Sequence, residues 1–164
     1  MEGGDSTASQ EKKITFKVFE NISNVSEIPE SIKIRDIVFK QEQSAQIDPE
    51  RDPIDLAAIH LIMYLDNEPI GSGRVTENDG KCYIGFVAIV KEHRGKSYGK
   101  ILMLELTELA KRKGKKEVFI HAQLHAIPFY EKLGWELFGE EFIRSGIRHR
   151  HMSYKFEDSN HTGV

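Results

Sequence analysis

One passage constrains this chain more than any other. An apolar run, Val87-Ala88-Ile89-Val90, leads through a loop rich in glycine and cations into an amphipathic segment that reaches Lys113. The loop reads Lys91-Glu92-His93-Arg94-Gly95-Lys96-Ser97-Tyr98-Gly99-Lys100. Beyond it, Leu102, Leu106, Leu109 and Ala110 fall on one helical stripe, with Glu105, Glu108 and Arg112 on another face. Gly114 stands where a left-handed C-cap ends such a helix. The order is therefore buried strand, basic loop, helix.

A helix N-terminus carries unpaired N–H groups and the positive end of the dipole, so it favours acidic neighbours. Arg94, Lys96 and Lys100 crowd this one instead, in a chain whose net charge is -3. Cations on a positive helix end repel it unless an anion sits among them, and glycine lets the backbone approach that anion. A solvated basic turn is the alternative that the local pattern leaves open. The spacing matches neither Gly-x-x-x-x-Gly-Lys-Ser/Thr nor Gly-x-Gly-x-x-Gly, which argues against a nucleoside triphosphate or dinucleotide loop.

Bulk properties narrow the classes further. A chain of 164 residues with 39% hydrophobic and 30% charged content is long enough for one domain with a proper core. The pI near 6.2 gives no general reason to expect nucleic acid, and no apolar run approaches membrane-spanning length. The N-terminus lacks the apolar core of a signal peptide, and the single cysteine, Cys82, has no partner for an internal disulfide. A cytoplasmic protein is expected, with a nuclear address left open.

Read in order, Met1–Lys13 is small and polar and is expected to be a disordered arm, as is the flexible tail Glu157–Val164. Ile14, Phe16 and Val18 alternate as a first strand, and Ser26-Glu27-Ile28-Pro29 opens a helix with Ile34, Ile37 and Val38 on one face. Asp48–Pro53 is a loop. Ala57–Leu65 and Ile70–Val75 are expected to pair around Asp66-Asn67-Glu68-Pro69, and Asn78-Asp79-Gly80 turns into Lys81–Val90. After Gly114 come a strand at Glu117–Ala122, a short helix from Pro128 to Gly134, and strands at Trp135–Gly139 and Arg148–Phe156. The order β-α-β-β-β-α-β-α-β-β argues an α+β fold, a mixed twisted central sheet flanked by helices on both faces.

Arg94-Gly95-Lys96-Ser97-Tyr98-Gly99 resembles the Arg/Gln-x-x-Gly-x-Gly/Ala pyrophosphate loop of the Gcn5-related N-acetyltransferase (GNAT) superfamily. His121-Ala122-Gln123 and Ala126–Trp135 are similar to that superfamily's next strand and its Phe-Tyr-Glu-Lys-Leu-Gly-Phe helix. Arg35-x-x-Val38-Phe39-x-x-Glu42-Gln43, Asp55-x-x-Ala58-x-His60 and Gly139-Glu140-Glu141-Phe142-x-x-x-Gly146-Ile147-x-His149 resemble its ElaA/YjcF-like subgroup. The resemblance spans residues 14–156, which it implies are a single N-acetyltransferase domain. It departs at Ser97, where the family usually has glycine, so a positive φ there would strain the chain.

The resemblance implies acetyl transfer from acetyl-CoA, as co-substrate, to a small-molecule or peptide amine by direct attack. The thioester carbonyl would meet backbone N–H groups of Val87, Ala88 and Ile89. The pyrophosphate would lie on Arg94, Gly95, Lys96, Ser97, Tyr98, Gly99 and Lys100. Tyr130 would protonate the departing thiolate, since a phenol keeps its proton at neutral pH. The base falls to His149 or Glu141, with Glu42, Gln43, His60, His121 and Gln123 as candidates around the acceptor. His60 also reads as an ordinary sheet histidine. His149, His151, His121 and His125 follow no zinc spacing, so no metal is expected, and neither nucleic acid nor membrane. A homodimer is compatible with the resemblance, as many members dimerise. A non-catalytic acyl-CoA-binding module is the other reading, since it would keep the loop and need neither acid nor base.

Overall fold

The computed structural model describes residues 11–157, so the two terminal expectations lie largely outside the described residues. Lys13 is an exception. Its N–H donates to Asp66 Oδ1 at 2.7 Å and its carbonyl accepts from Asp66 N at 2.8 Å, which ties it to the turn at Asp66.

Among the described residues seven strands form one sheet in the order β1-β2-β3-β4-β5-β7-β6. They are β1 (Ile14–Phe19), β2 (Ile59–Leu65), β3 (Glu68–Asn78), β4 (Lys81–Ile89), β5 (Glu117–Gln123), β6 (Glu136–Arg144) and β7 (Ile147–Lys155). All neighbours are antiparallel except β4 and β5. Helix α1 (Pro29–Arg35) runs on into a π-helical segment, Asp36–Glu42. Helices α2 (Tyr98–Arg112) and α3 (Ile127–Lys132) follow later in the chain.

Strand β2 explains the layering. All seven of its residues are buried, so it does not alternate as a one-faced strand would. Leu61, Met63 and Leu65 join the main core with Leu102, Leu106, Leu109 and Ala110 of α2, the stripe read from the sequence. Tyr64 turns the other way, and its hydroxyl donates to Glu30 of α1. Ile34 and Val38 pack on Ala88 from that side too. Helices thus cover both faces. Among the described residues no helix is long and apolar enough to cross a membrane.

Three hairpins close through two-residue turns whose residues all have positive φ: Asp66-Asn67, Asp79-Gly80 and Ser145-Gly146. The four-residue connection expected at Asp66–Pro69 is therefore too long. Asp66 and Asn67 make the whole turn, and Glu68 and Pro69 already pair with Leu65 and Tyr64. Gly139 was expected to end a strand but lies inside β6, at φ +71 in an irregularity between Phe138 and Phe142, where left-handed backbone re-aims the strand. The 3-10 turn Pro53–Ala57 replaces the expected start of β2.

Candidate active site

β4 and β5 pair through only two positions, Cys82↔Val118 and Tyr83↔Phe119. Past these, β4 stays with β3 as far as Gly71↔Ile89, while β5 stays with β7 as far as Gln123↔His149. The two inner edges therefore part, and each carries backbone groups with no strand opposite. Val87, Ala88 and Ile89 lie on one edge of this gap. Such an edge accepts an extended ligand as a strand would be accepted.

The parting begins at a bulge. Gly85 faces Arg74 and Ala88 faces Ser72, so Phe86 and Val87 together oppose Gly73 alone. Phe86 has φ 50, left-handed for a bulky residue. The extra residue resets the alternation. Cys82 and Ile84 point to the main core before it, Val87 and Ile89 after it.

At the end of β4 the loop bends through Gly95 (φ 77) and Ser97 (φ 70, ψ 6) into α2. No side chain caps this helix and no acidic residue lies in its first turn, so its N–H groups remain open. Lys96 and Lys100 stand exposed beside them. Arg94 does not. Its Nε donates to the Ile89 carbonyl at 2.7 Å, and Nη1 and Nη2 donate to Glu42 at 2.9 Å each. Of the three cations expected to crowd the helix end, this one is already paired. α3 lies against the start of α2, where a Cβ at Gly99 would stand 3.5 Å from the Phe129 ring, an ordinary contact distance.

Tyr130, on α3, is half-buried, with its ring 5.1 Å from Phe129 and 6.2 Å from Trp135. Burial pushes its phenol up to about 12, so it is protonated at neutral pH. Its carbonyl accepts from Leu133 N and Trp135 N, which fixes the turn after the helix.

Across the gap, His149 is buried and its Nδ1 donates to the Ile147 carbonyl at 2.7 Å. That bond leaves the lone pair on Nε2, and burial lowers the ring's pKa. Glu141 sits apart from it. Alternation along β7 turns Arg148 to the face opposite His149, and Glu141 accepts two hydrogen bonds from Arg148 there. Those bonds hold its carboxylate below the usual range.

His121 packs 5.3 Å from Tyr83 and 5.3 Å from Phe142, and burial, then Arg144, lowers its pKa to about 4. Gln123 Nε2 donates to Gln43 Oε1 at 2.7 Å, a bridge from the end of β5 to the residue after the π-helical segment. His60 corrects one expectation. It is fully buried, its Nε2 donates to the Asp55 carbonyl at 2.8 Å, and Nδ1 faces Arg35 Nη2 at 3.4 Å. With both nitrogens occupied in the core, it is a sheet histidine and meets no acceptor.

That burial belongs to a cluster which the sequence reading divided between two motifs and did not join. Arg35 and Arg74 each donate to one oxygen of buried Asp55 at 2.7 Å, and Arg74 also lies 3.0 Å from Asp52. An arginine between the apolar positions of a central strand, Gly71–Val75, was the available signal. Among the described residues no group of three or more His, Cys, Asp or Glu is placed to hold a metal. A groove of about 530 Å³ lies elsewhere, on the outer side of α1 along Val25, Pro29, Ile32, Asp36 and Lys40. It borders the start of the seven-residue α1 at Pro29 but offers no free strand edge.

Residues 29–156 match the family model described as an acetyltransferase (GNAT) domain. An uncharacterized N-acetyltransferase, YjcF, of Bacillus subtilis is 31% identical over 130 residues, covering 79% of this chain and 93% of that protein. The crystal structure of Escherichia coli ElaA superposes with a TM-score of 0.77 at 24% identity, over 87% of this chain and all of that one (100%). PaiA N-acetyltransferase from Thermoplasma acidophilum, solved in complex with coenzyme A, superposes with a TM-score of 0.61 at 17% identity, over 87% of this chain and 99% of that one.

Proposed function

Because the chain belongs to the GNAT acetyltransferase family, in its ElaA/YjcF-like subgroup, we propose that it carries an acetyl group from acetyl-CoA to a primary amine by direct attack in a ternary complex. The observation that carries this reading is the gap between β4 and β5, which opens directly beside an uncapped helix N-terminus. One supplies a backbone edge for an extended acyl-bearing arm, the other a seat for its pyrophosphate. The coenzyme A held by a relative of this fold supports the same ligand.

Each residue then has a task. The edge at Val87, Ala88 and Ile89 holds the arm and offers N–H groups to a developing oxyanion. The N–H groups at the start of α2 receive phosphate oxygens, and Lys96 and Lys100 add charge. His149 Nε2 takes a proton from the bound ammonium, directly or through water, and so frees the lone pair that attacks. The neutral amine so formed bonds to the acyl carbon, the C–S bond breaks, and the second proton that nitrogen sheds as the amide forms replaces the one Tyr130 gives up. The Tyr130 hydroxyl, kept protonated by burial, supplies the proton that the leaving thiolate needs. Glu141 is unsuited as base, because its ion pair with Arg148 lowers its proton affinity and turns it to the other face.

The test is free-thiol release from acetyl-CoA in the presence of a panel of primary amines. Amine-dependent release supports the enzyme, whereas tight binding of acetyl-CoA without release under every amine would identify a binding module.

A further inference from the structure

Among the described residues Phe86 is the one bulky residue inside a strand that holds a left-handed backbone, and such positions persist only where the surroundings enforce them. What enforces it is visible. The Arg35 guanidinium lies 4.6 Å from the centre of the Phe86 ring and that of Arg74 4.7 Å, while Phe39 meets the ring edge-on at 5.3 Å. Both guanidinium groups are themselves fixed. Each donates at 2.7 Å to a separate oxygen of Asp55, a residue with no exposure to solvent.

The cluster is balanced in charge. Arg35 and Arg74 face Asp55 and Asp52, and His60 hydrogen-bonds the Asp55 carbonyl as a neutral ring. Removing either partner would leave an uncompensated buried charge, so the planar groups stay where they are. At Gly85, beside the bulge, a Cβ would have only Arg74 Nε within reach, at 4.0 Å, so the arginine crosses there unobstructed.

Resting on the acetyl-transfer reading above, we propose that Arg35, Asp55 and Arg74 are positioning residues for the reaction. They grip the Phe86 ring from the core and thereby hold the bulge at which β4 turns the Val87–Ile89 edge into the gap. They touch no reacting atom. Their effect passes through Phe86 to the backbone N–H groups that polarise the thioester carbonyl. The two motifs Arg35-x-x-Val38-Phe39 and Asp55-x-x-Ala58-x-His60 are then two halves of one clamp, with Phe39 closing its edge.

The experiment reads the carbonyl itself. Acetyl-CoA labelled with ¹³C at the acetyl carbonyl is bound to wild type, Phe86→Leu, Phe86→Gly and Arg74→Lys, and its infrared stretch is recorded beside single-turnover rates and calorimetric affinity. The Phe86 variants leave the ion cluster intact, so they keep the test alive if Arg74→Lys does not fold. Wild type should lower the stretching frequency on binding. In the variants that shift should shrink and the single-turnover rate fall by up to about 100-fold, as when a reacting group is misplaced by about 1 Å. Affinity for acetyl-CoA should move far less, because the phosphate seat is untouched. Phe86→Gly is the discriminating variant, since it relieves the left-handed cost but removes the ring. If it matches wild type in frequency and rate, no clamp is needed and the proposal is overturned. If wild type turns over an amine and all three variants match it, the clamp alone fails. A wild type that binds acetyl-CoA without shifting its carbonyl overturns the clamp and the acetyl-transfer reading together.

Discussion

Glu42 and Arg94, 52 residues apart in sequence, form a two-pronged ion pair with both N···O distances at 2.9 Å. Arg94 Nε holds the carbonyl of Ile89, the last residue of β4. Gln43, the next residue after Glu42, reaches Gln123, the last residue of β5. Consecutive residues at the end of the π-helical segment therefore fasten to both arms of the gap. π-helical turns recur at functional sites because they re-aim side chains that a regular helix would align.

This pair makes a prediction about the cofactor loop. Its side chains are 41% and 28% exposed, so it is worth about 0–1 kcal/mol to the fold. Glu42→Gln should leave thermal stability nearly unchanged while releasing a guanidinium beside the proposed phosphate seat. Acetyl-CoA should then bind a few-fold tighter by calorimetry, and more so at low salt. Weaker binding would show instead that the pair shapes the loop. Charge reversal at Arg94 should weaken acetyl-CoA binding far more than reversal at exposed Lys155, because it also breaks the tie to Ile89.

Ser97 supplies a second test. At φ 70 and ψ 6 it occupies a region that costs a non-glycine residue about 1 kcal/mol, and no hydrogen bond from its side chain caps the helix it precedes. Ser97→Gly should raise the melting temperature by about 2–4 °C, the usual return for that energy in a chain of this size. Acetyl-CoA affinity should hold or improve. A large loss of affinity would reveal the hydroxyl as a ligand.

The histidines set a pH window. His121 is lowered in the folded protein from 6.5 to about 4, and His149 is lowered as well. A group that is harder to protonate when folded gives the unfolded chain more bound protons at acid pH. Stability is then full above about 6.5 and declines as pH falls towards 4. Replacing His121 with Gln should flatten the denaturation midpoint across that interval and leave it unchanged above pH 7. An equally steep profile in His121→Gln would assign the acid sensitivity elsewhere.

Much of the scaffold was legible because it rests on local rules. The stripe of α2 and its end at Gly114 (φ +81) follow from helical periodicity and the ease of left-handed backbone at glycine. Residues joined only by the fold were not. Arg74 carries no periodic signal, yet it completes the charge balance around Asp55. Glu42 and Arg94 looked like separate ligand candidates because nothing in a linear chain shows two charges neutralising each other. His149 and Glu141 were equal in sequence. They separate only when the strand face and the Arg148 partner are known.

Tyr130 offers the sharpest test of enzyme against binding module. In the proposed reaction its hydroxyl meets the sulfur mainly as negative charge develops, so losing it should reduce turnover more than binding. Tyr130→Phe keeps the ring and its packing on Phe129 and Trp135, so fold and acetyl-CoA affinity should survive. General-acid assistance is worth about 10²–10⁴-fold, and single-turnover rates should fall by that order. Steady-state kcat would fall less if product release limits it. Burial sharpens the expectation. A phenol pushed up to about 12 never ionises in the working range, so wild type should show no loss of rate on the alkaline side from this group. Suppose instead that Tyr130→Phe acetylates its best amine at the wild-type single-turnover rate. Tyr130 would then be a packing residue of α3, and the proton for the thiolate would come from water.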